Sequence, residues 1–154
     1  MPADLSLIPG NILQQVVEHA EAEYPFEGCG LLIGSAQDLP SITEFRPMAN
    51  RQGDRLDGRE AEPRRTARSG YWMAPEELLA IQKEIRKKIM AIKVIYHSHV
   101  DAPAVFSAED IRMACPAGKP LWMGVNYLIV SVIHGKVRDI RFFSWSPGER
   151  NFVT

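Results

Sequence analysis

From Asn11 to Tyr24 the apolar residues Ile12, Val16, Val17 and Ala20 return every three or four positions, with Pro9 and Gly10 ahead of them and Pro25 behind. That spacing predicts an amphipathic helix with one buried face. The period then changes. CGLLIG, residues 29–34, is a short apolar run bounded by glycines and reads as a buried strand; SITEFRP, residues 41–47, alternates and reads as its antiparallel neighbour. A second helix is expected from Pro75, a residue suited to a first turn, to about residue 90, with Leu78, Leu79, Ile81, Ile85 and Ile89 as its buried stripe. IKVIYHSH, residues 92–99, has the β-branched, apolar composition of a central strand. Ser107 to Ala114 reads as a short helix, and residues 127–145 as a hairpin turning near His134 and Gly135.

Helices and mostly antiparallel strands in one layered unit place the chain in the α/β (α+β) class, as a single domain over residues 1–154. One segment interrupts the pattern. Residues 50–70 hold six arginines and four acids with almost no apolar side chains, and read as a flexible polar insertion. Interleaved acids and the lack of base-stacking aromatics there argue against nucleic acid, as does a net charge of -1 for the whole chain. No apolar run approaches the roughly 20 residues of a membrane helix, and the first residues lack a signal-peptide pattern, so a cytoplasmic protein without a membrane partner is expected. Two cysteines, Cys29 and Cys115, are too few for a disulfide framework and read as reduced thiols, with one bridge between them left open.

The chemistry concentrates where the apolar strand ends. Alternate strand residues share a face and lie roughly 6.6–6.8 Å apart along it, so His97 and His99 can converge on one metal ion while Ser98 points away. A catalytic zinc takes three protein ligands and keeps a fourth position open. Asp110 is the natural third, because the loop from Val100 to Phe106 can turn the chain back and Ser107 can start a helix whose first turn faces the strand end. Alone, SAED is also a plain helix start, with Ser107 as N-cap and Asp110 at N3.

Joined at the spacing HxHx7SxxD behind an apolar strand, these fragments resemble the signature of the JAMM, or MPN-plus, zinc metallopeptidases, and in particular free-standing bacterial members similar to sulfur-carrier-protein peptidases. The likeness extends over the first helix, the strand within YPFEGCGLLIG that Glu27 precedes, Asn50 ahead of the insertion, the helix after Tyr71, the YHSH strand, and the YLIVSV strand with its hairpin. It implies an MPN-type fold of mixed, mostly antiparallel sheet flanked by helices. One Zn2+ per chain would be held by His97, His99 and Asp110. Glu27 would be the general base toward a metal-activated water, since Glu21 and Glu23 belong to the first helix and Glu109 is expected to face solvent. Ser107 would donate to the oxyanion. The implied substrate is a ubiquitin-like or sulfur-carrier protein cut after its glycine-rich C-terminal tail; a homodimer is left open. Val100 and Phe106 depart from the family's usual residues at those positions, which bears on the substrate channel more than on the ligands.

Other readings fit less well. A metallo-β-lactamase-type HxHxDH needs a histidine at position 102, which is alanine. A zinc deaminase needs PCxxC, and the order at Cys115 is Cys-Pro. The DNA-repair-associated relatives read HNHPSGDP, absent here. Cys29 shares a strand face with Glu27 and is a conceivable nucleophile, though a small buried thiol is its ordinary role. The remaining alternative is a catalytically silent MPN-type scaffold that docks partners; such proteins typically lack a metal ligand.

Overall fold

The structure, a computed structural model, describes residues 4–54 and 67–154, so the centre of the polar insertion lies outside the described residues. A 3-10 turn at Leu5–Leu7, capped by the Asp4 carboxylate, leads into helix α1 (Gly10–Glu23). Its buried residues are Ile12, Val16 and Ala20, one stripe of the expected period, and Pro25 follows its end. Strands β1 (Cys29–Ser35) and β2 (Glu44–Met48) form the predicted antiparallel pair, although β2 starts three residues later than the alternation suggests.

Helix α2 (Pro75–Arg86) carries Glu76 and Glu77 in its first turn and Lys83 and Arg86 in its last, the arrangement that suits the helix dipole. It stops four residues short of the expected end. Ile89 takes a positive φ of 55° and its carbonyl accepts from Ala36, because strand β3 (Met90–Val100) already begins at the next residue. Ile89 and Leu79, both expected in the buried stripe, are exposed; the stripe narrows to Ile85 with Leu78 and Ile81 beside it.

Helix α3 (Ala108–Ala114) lies in the crossover between β3 and β4 (Asn126–Ile133), which pair in parallel. β4 turns through His134 and Gly135 into β5 (Lys136–Ser146), as expected. A further short strand, β6 (Asn151–Val153), was not anticipated and completes a six-stranded sheet in the order β2-β1-β3-β4-β5-β6. Every other pairing is antiparallel. Among the described residues no helix is long and apolar enough to cross a membrane.

The sheet is covered on both faces, which is why its central strands read as continuous apolar runs. Leu32, Val94, Tyr96, Leu128 and Val130 pack with Ile12, Val16 and Ala20 of α1. Leu31, Ile33, Ile95, Ile129 and Phe143 pack on the opposite side with Ile85 of α2 and Ala114 of α3. Each fully buried aliphatic side chain contributes about 1.5–3 kcal/mol. A bulge opposite Leu32 and Ile33 leaves Lys93 as an extra residue, so Ile92 and Ile95 face the same core although they are three apart. The Lys93 ammonium donates to the carbonyls of Asp38 and Leu39 beyond the end of β1.

Gly34 shows how tightly the β1–β2 connection closes. A Cβ at this position would lie 1.8 Å from the Ser41 carbonyl oxygen, a backbone atom that cannot swing aside. Gly34→Ala is expected to lower stability by about 1–3 kcal/mol, as overpacking does. Thermal denaturation checks this, and an unchanged midpoint would contradict the contact.

Candidate metal centre

Alternation along β3 puts Ile95, His97 and His99 on the sheet face that carries α2 and α3. Asp110 reaches the same point from the first turn of α3. The His97 Nε2 lies 3.1 Å from Asp110 Oδ1, the His99 Nε2 3.2 Å from Oδ2, and the two Nε2 atoms 3.1 Å from each other. His97 is wholly buried, and His99 and Asp110 nearly so. Burial alone would raise the Asp110 carboxyl, but the two imidazoles and the Ser107 N–H overrule it and hold the group far below the ordinary carboxylate range. Burial depresses His97. It opposes protonation of His99 as well, yet there the Asp110 carboxylate and the Pro103 carbonyl prevail and the shift is upward.

Orientation comes from the surroundings of each ring. His99 Nδ1 lies 2.8 Å from the Pro103 carbonyl oxygen, which can only accept, so Nδ1 carries a proton; the neutral ring that a metal ion requires would present a bare Nε2. His97 Nδ1 has no hydrogen-bond partner among the described residues. Its ring is instead stacked on Tyr71, with centroids 4.2 Å apart and planes 18° off parallel. One ligand atom from each of His97, His99 and Asp110 falls within 4.8 Å of the others. Two imidazoles and a carboxylate, converging and largely buried, fit a zinc-type ion with one position left for another ligand.

Glu27 stands at the entry to β1, buried, on the wall of an open cleft of ≈ 280 Å³ that also touches His99, Ser107 and Asp110. Ser98, between the two histidines, faces the other way. Its Oγ accepts from the Gly28 N–H at 2.7 Å and its own N–H donates to the Gly28 carbonyl at 2.9 Å. The residue that separates the imidazoles thus ties down the neighbour of Glu27. Only glycine fits at 28, since a Cβ there would meet the Tyr96 hydroxyl at 2.6 Å. Ser107 Oγ caps α3 by accepting from the Asp110 N–H at 3.1 Å, and Asp110 Oδ2 accepts from the Ser107 N–H at 2.9 Å. The cap uses a lone pair of the hydroxyl, so its O–H remains available to donate.

Residues 9–146 match the family model described as prokaryotic homologs of the JAB domain. The chain belongs to that family. It is 32% identical over 121 residues to the desampylase of Haloferax volcanii, covering 79% of this chain and 73% of that protein. It is 27% identical over 107 residues to a probable TtuB-protein conjugate cleaving protease of Thermus thermophilus, covering 70% of this chain and 62% of the relative's length. Two solution structures are similar: a protein from Desulfitobacterium hafniense, with a TM-score of 0.64, 27% identity, and 90% of this chain and 83% of that one covered; and a protein from Salinibacter ruber, with a TM-score of 0.61, 27% identity, and coverage of 94% and 85%. The family match and the two named relatives bear out the JAMM-type resemblance read from HxHx7SxxD.

Within this JAB-type frame four of the five expected residues, Glu27, His99, Ser107 and Asp110, line one cleft, and the fully buried His97 meets His99 and Asp110. Glu109 differs from expectation: it pairs with Arg112 at the cleft rim and is only partly exposed. Cys29 and Cys115 are both free, and burial pushes the Cys29 thiol up to about 12, which removes it as a nucleophile near neutral pH. Sequence reasoning missed the Tyr71 stack and the Ser131 hydroxyl, which donates to the Ala102 carbonyl at 2.6 Å beside Pro103. A polar residue in the apolar YLIVSVI run was the available signal for Ser131. After zinc loading and dialysis the protein is expected to retain one ion per chain and the His99→Ala and Asp110→Ala variants only a trace, read by elemental analysis; full retention in either variant would contradict the ligand set.

Proposed function

We propose that the chain is a zinc-dependent hydrolase, acting as one domain, that cleaves the peptide or isopeptide bond after the C-terminal tail of a ubiquitin-like or sulfur-carrier protein. The observation that carries this reading is the convergence of His97, His99 and Asp110 beside a cleft shared by Glu27 and Ser107. The activities for which the relatives are named, a desampylase and a probable TtuB-protein conjugate cleaving protease, support the same class of bond.

His97, His99 and Asp110 would hold the ion. A bound Zn2+ supplies Lewis acidity, polarising a carbonyl and bringing the pKa of a water to about 7. The chain's own groups complete the reaction. Glu27, in its buried position on the cleft wall, takes a proton from the attacking water and passes it to the leaving amine. Ser107 donates its free O–H to the oxyanion developing on the scissile carbonyl, a contact worth about 2.7–4 kcal/mol of barrier. The substrate tail would lie between Gln52 with residues 68–70 on one side and Pro103 with Val105 on the other. A silent scaffold is the weaker reading, because the ligand set is complete.

The test is a sulfur-carrier protein extended at its C-terminus by one cysteine, incubated with zinc-loaded enzyme and followed by intact mass. Glu27→Gln is expected to keep zinc and lose turnover; wild-type turnover in that variant would remove Glu27 from the mechanism. Ser107→Ala is expected to lower kcat about 10²–10³-fold. Losing the helix cap should separately cost about 0.5–2 kcal/mol of stability, so rates need to be compared well below the melting transition.

A further inference from the structure

Asn50 follows β2 and is only partly buried, at the edge of the polar insertion. Its side chain is nevertheless saturated. Nδ2 donates to the Glu27 carbonyl at 2.9 Å and the Gly70 carbonyl at 3.0 Å, with a longer contact to the Ala67 carbonyl at 3.4 Å. Oδ1 accepts from the N–H groups of Gln52 at 3.0 Å and Trp72 at 3.2 Å. Carbonyls only accept and N–H groups only donate, so these partners fix which end of the amide is which.

Two consequences of position stand out. Ladder pairing of β1 starts at Cys29, so the Glu27 peptide groups are held from outside the sheet: the N–H by the Ala67 carbonyl at 2.7 Å, the C=O by Asn50. Asn50 also binds the peptide groups on either side of Tyr71, the ring stacked on His97. We infer that Asn50 is a positioning residue that locks the backbone of Glu27 and the cleft wall at residues 67–72 into one unit. This rests on the reading of Glu27 as the proton acceptor. A carboxamide suits the position because it offers two donor hydrogens and an acceptor on a short stem; aspartate keeps the acceptor and loses both donors.

The experiment compares wild type, Asn50→Ala, Asn50→Asp and Glu27→Gln, each at saturating zinc. Amide hydrogen exchange by NMR is the readout that needs no turnover. In Asn50→Ala the amides of Glu27 and Trp72 should lose protection, whereas those of Gly28, held by Ser98, and of central β3 should keep it. Asn50→Asp should retain protection at Trp72 and lose it at Glu27, and serves where the alanine variant folds poorly. Both Asn50 variants should bind one zinc per chain and cut the cysteine-extended carrier with kcat lowered up to about 10²-fold, the size of effect that an ångström of misplacement brings. Unchanged exchange at Glu27 in both variants overturns the lock whatever the rates do. A uniform rise in exchange with kcat intact reduces Asn50 to general stability and overturns it too. Full turnover in Glu27→Gln overturns the mechanism instead, and the exchange pattern then still decides the lock.

Discussion

The register of β3 is the constraint on which the site depends. Strand geometry has period two, so a slip of one residue would turn His97 and His99 toward α1 and bring Ser98 to the cleft. An apolar pattern cannot forbid that slip, because both faces of this strand are buried against apolar neighbours. Polar and steric particulars do so. Ser98 must meet Gly28 on the α1 side, Tyr96 must meet His19 at 3.1 Å, and the missing side chain of Gly28 makes room for the Tyr96 hydroxyl. The bulge at Lys93 takes up the mismatch with β1 before the histidines are reached.

At the tip of that strand the electrostatics are arranged before any ion is considered. Asp110 is a buried acid, and a buried acid without partners would be neutral. Here two imidazoles and a backbone N–H face its two oxygens, and the carboxylate is kept charged. The same group closes the first turn of α3. Coupling this carboxylate to a helix cap fixes its direction by backbone geometry, with no dependence on a long side chain finding one rotamer among many.

Much of this was legible in the sequence, and the reasons divide cleanly. α1, β1, the end of β3 and the start of α3 rest on local signals: a helical stripe, glycine boundaries, a capping pair and two histidines at strand spacing. What could not be read depends on partners distant in the chain. The stripe of α2 continued in sequence to Ile89, but strand pairing at Met90 claimed the chain first. β6 is three residues long and exists only by pairing with β5. Parallel alignment of β3 with β4 leaves no mark in either run. Asn50 could be noted in the sequence only as a landmark ahead of the insertion, and Tyr71 only as an aromatic before a helix; their partners at Glu27 and His97 leave no mark in either neighbourhood.

Ser98 and Gly28 stand 70 positions apart in the chain, and Tyr24 and Asp101 stand 77 apart, yet each pair is in direct hydrogen-bond contact. Topologies dominated by such separations fold slowly, since long loops must close before any contact rewards them. Neither half of this polypeptide contains enough of the cleft to assemble it. The geometry of the cleft is therefore an all-or-none property of the completed molecule, and a nascent chain carries its local signals without the assembled site.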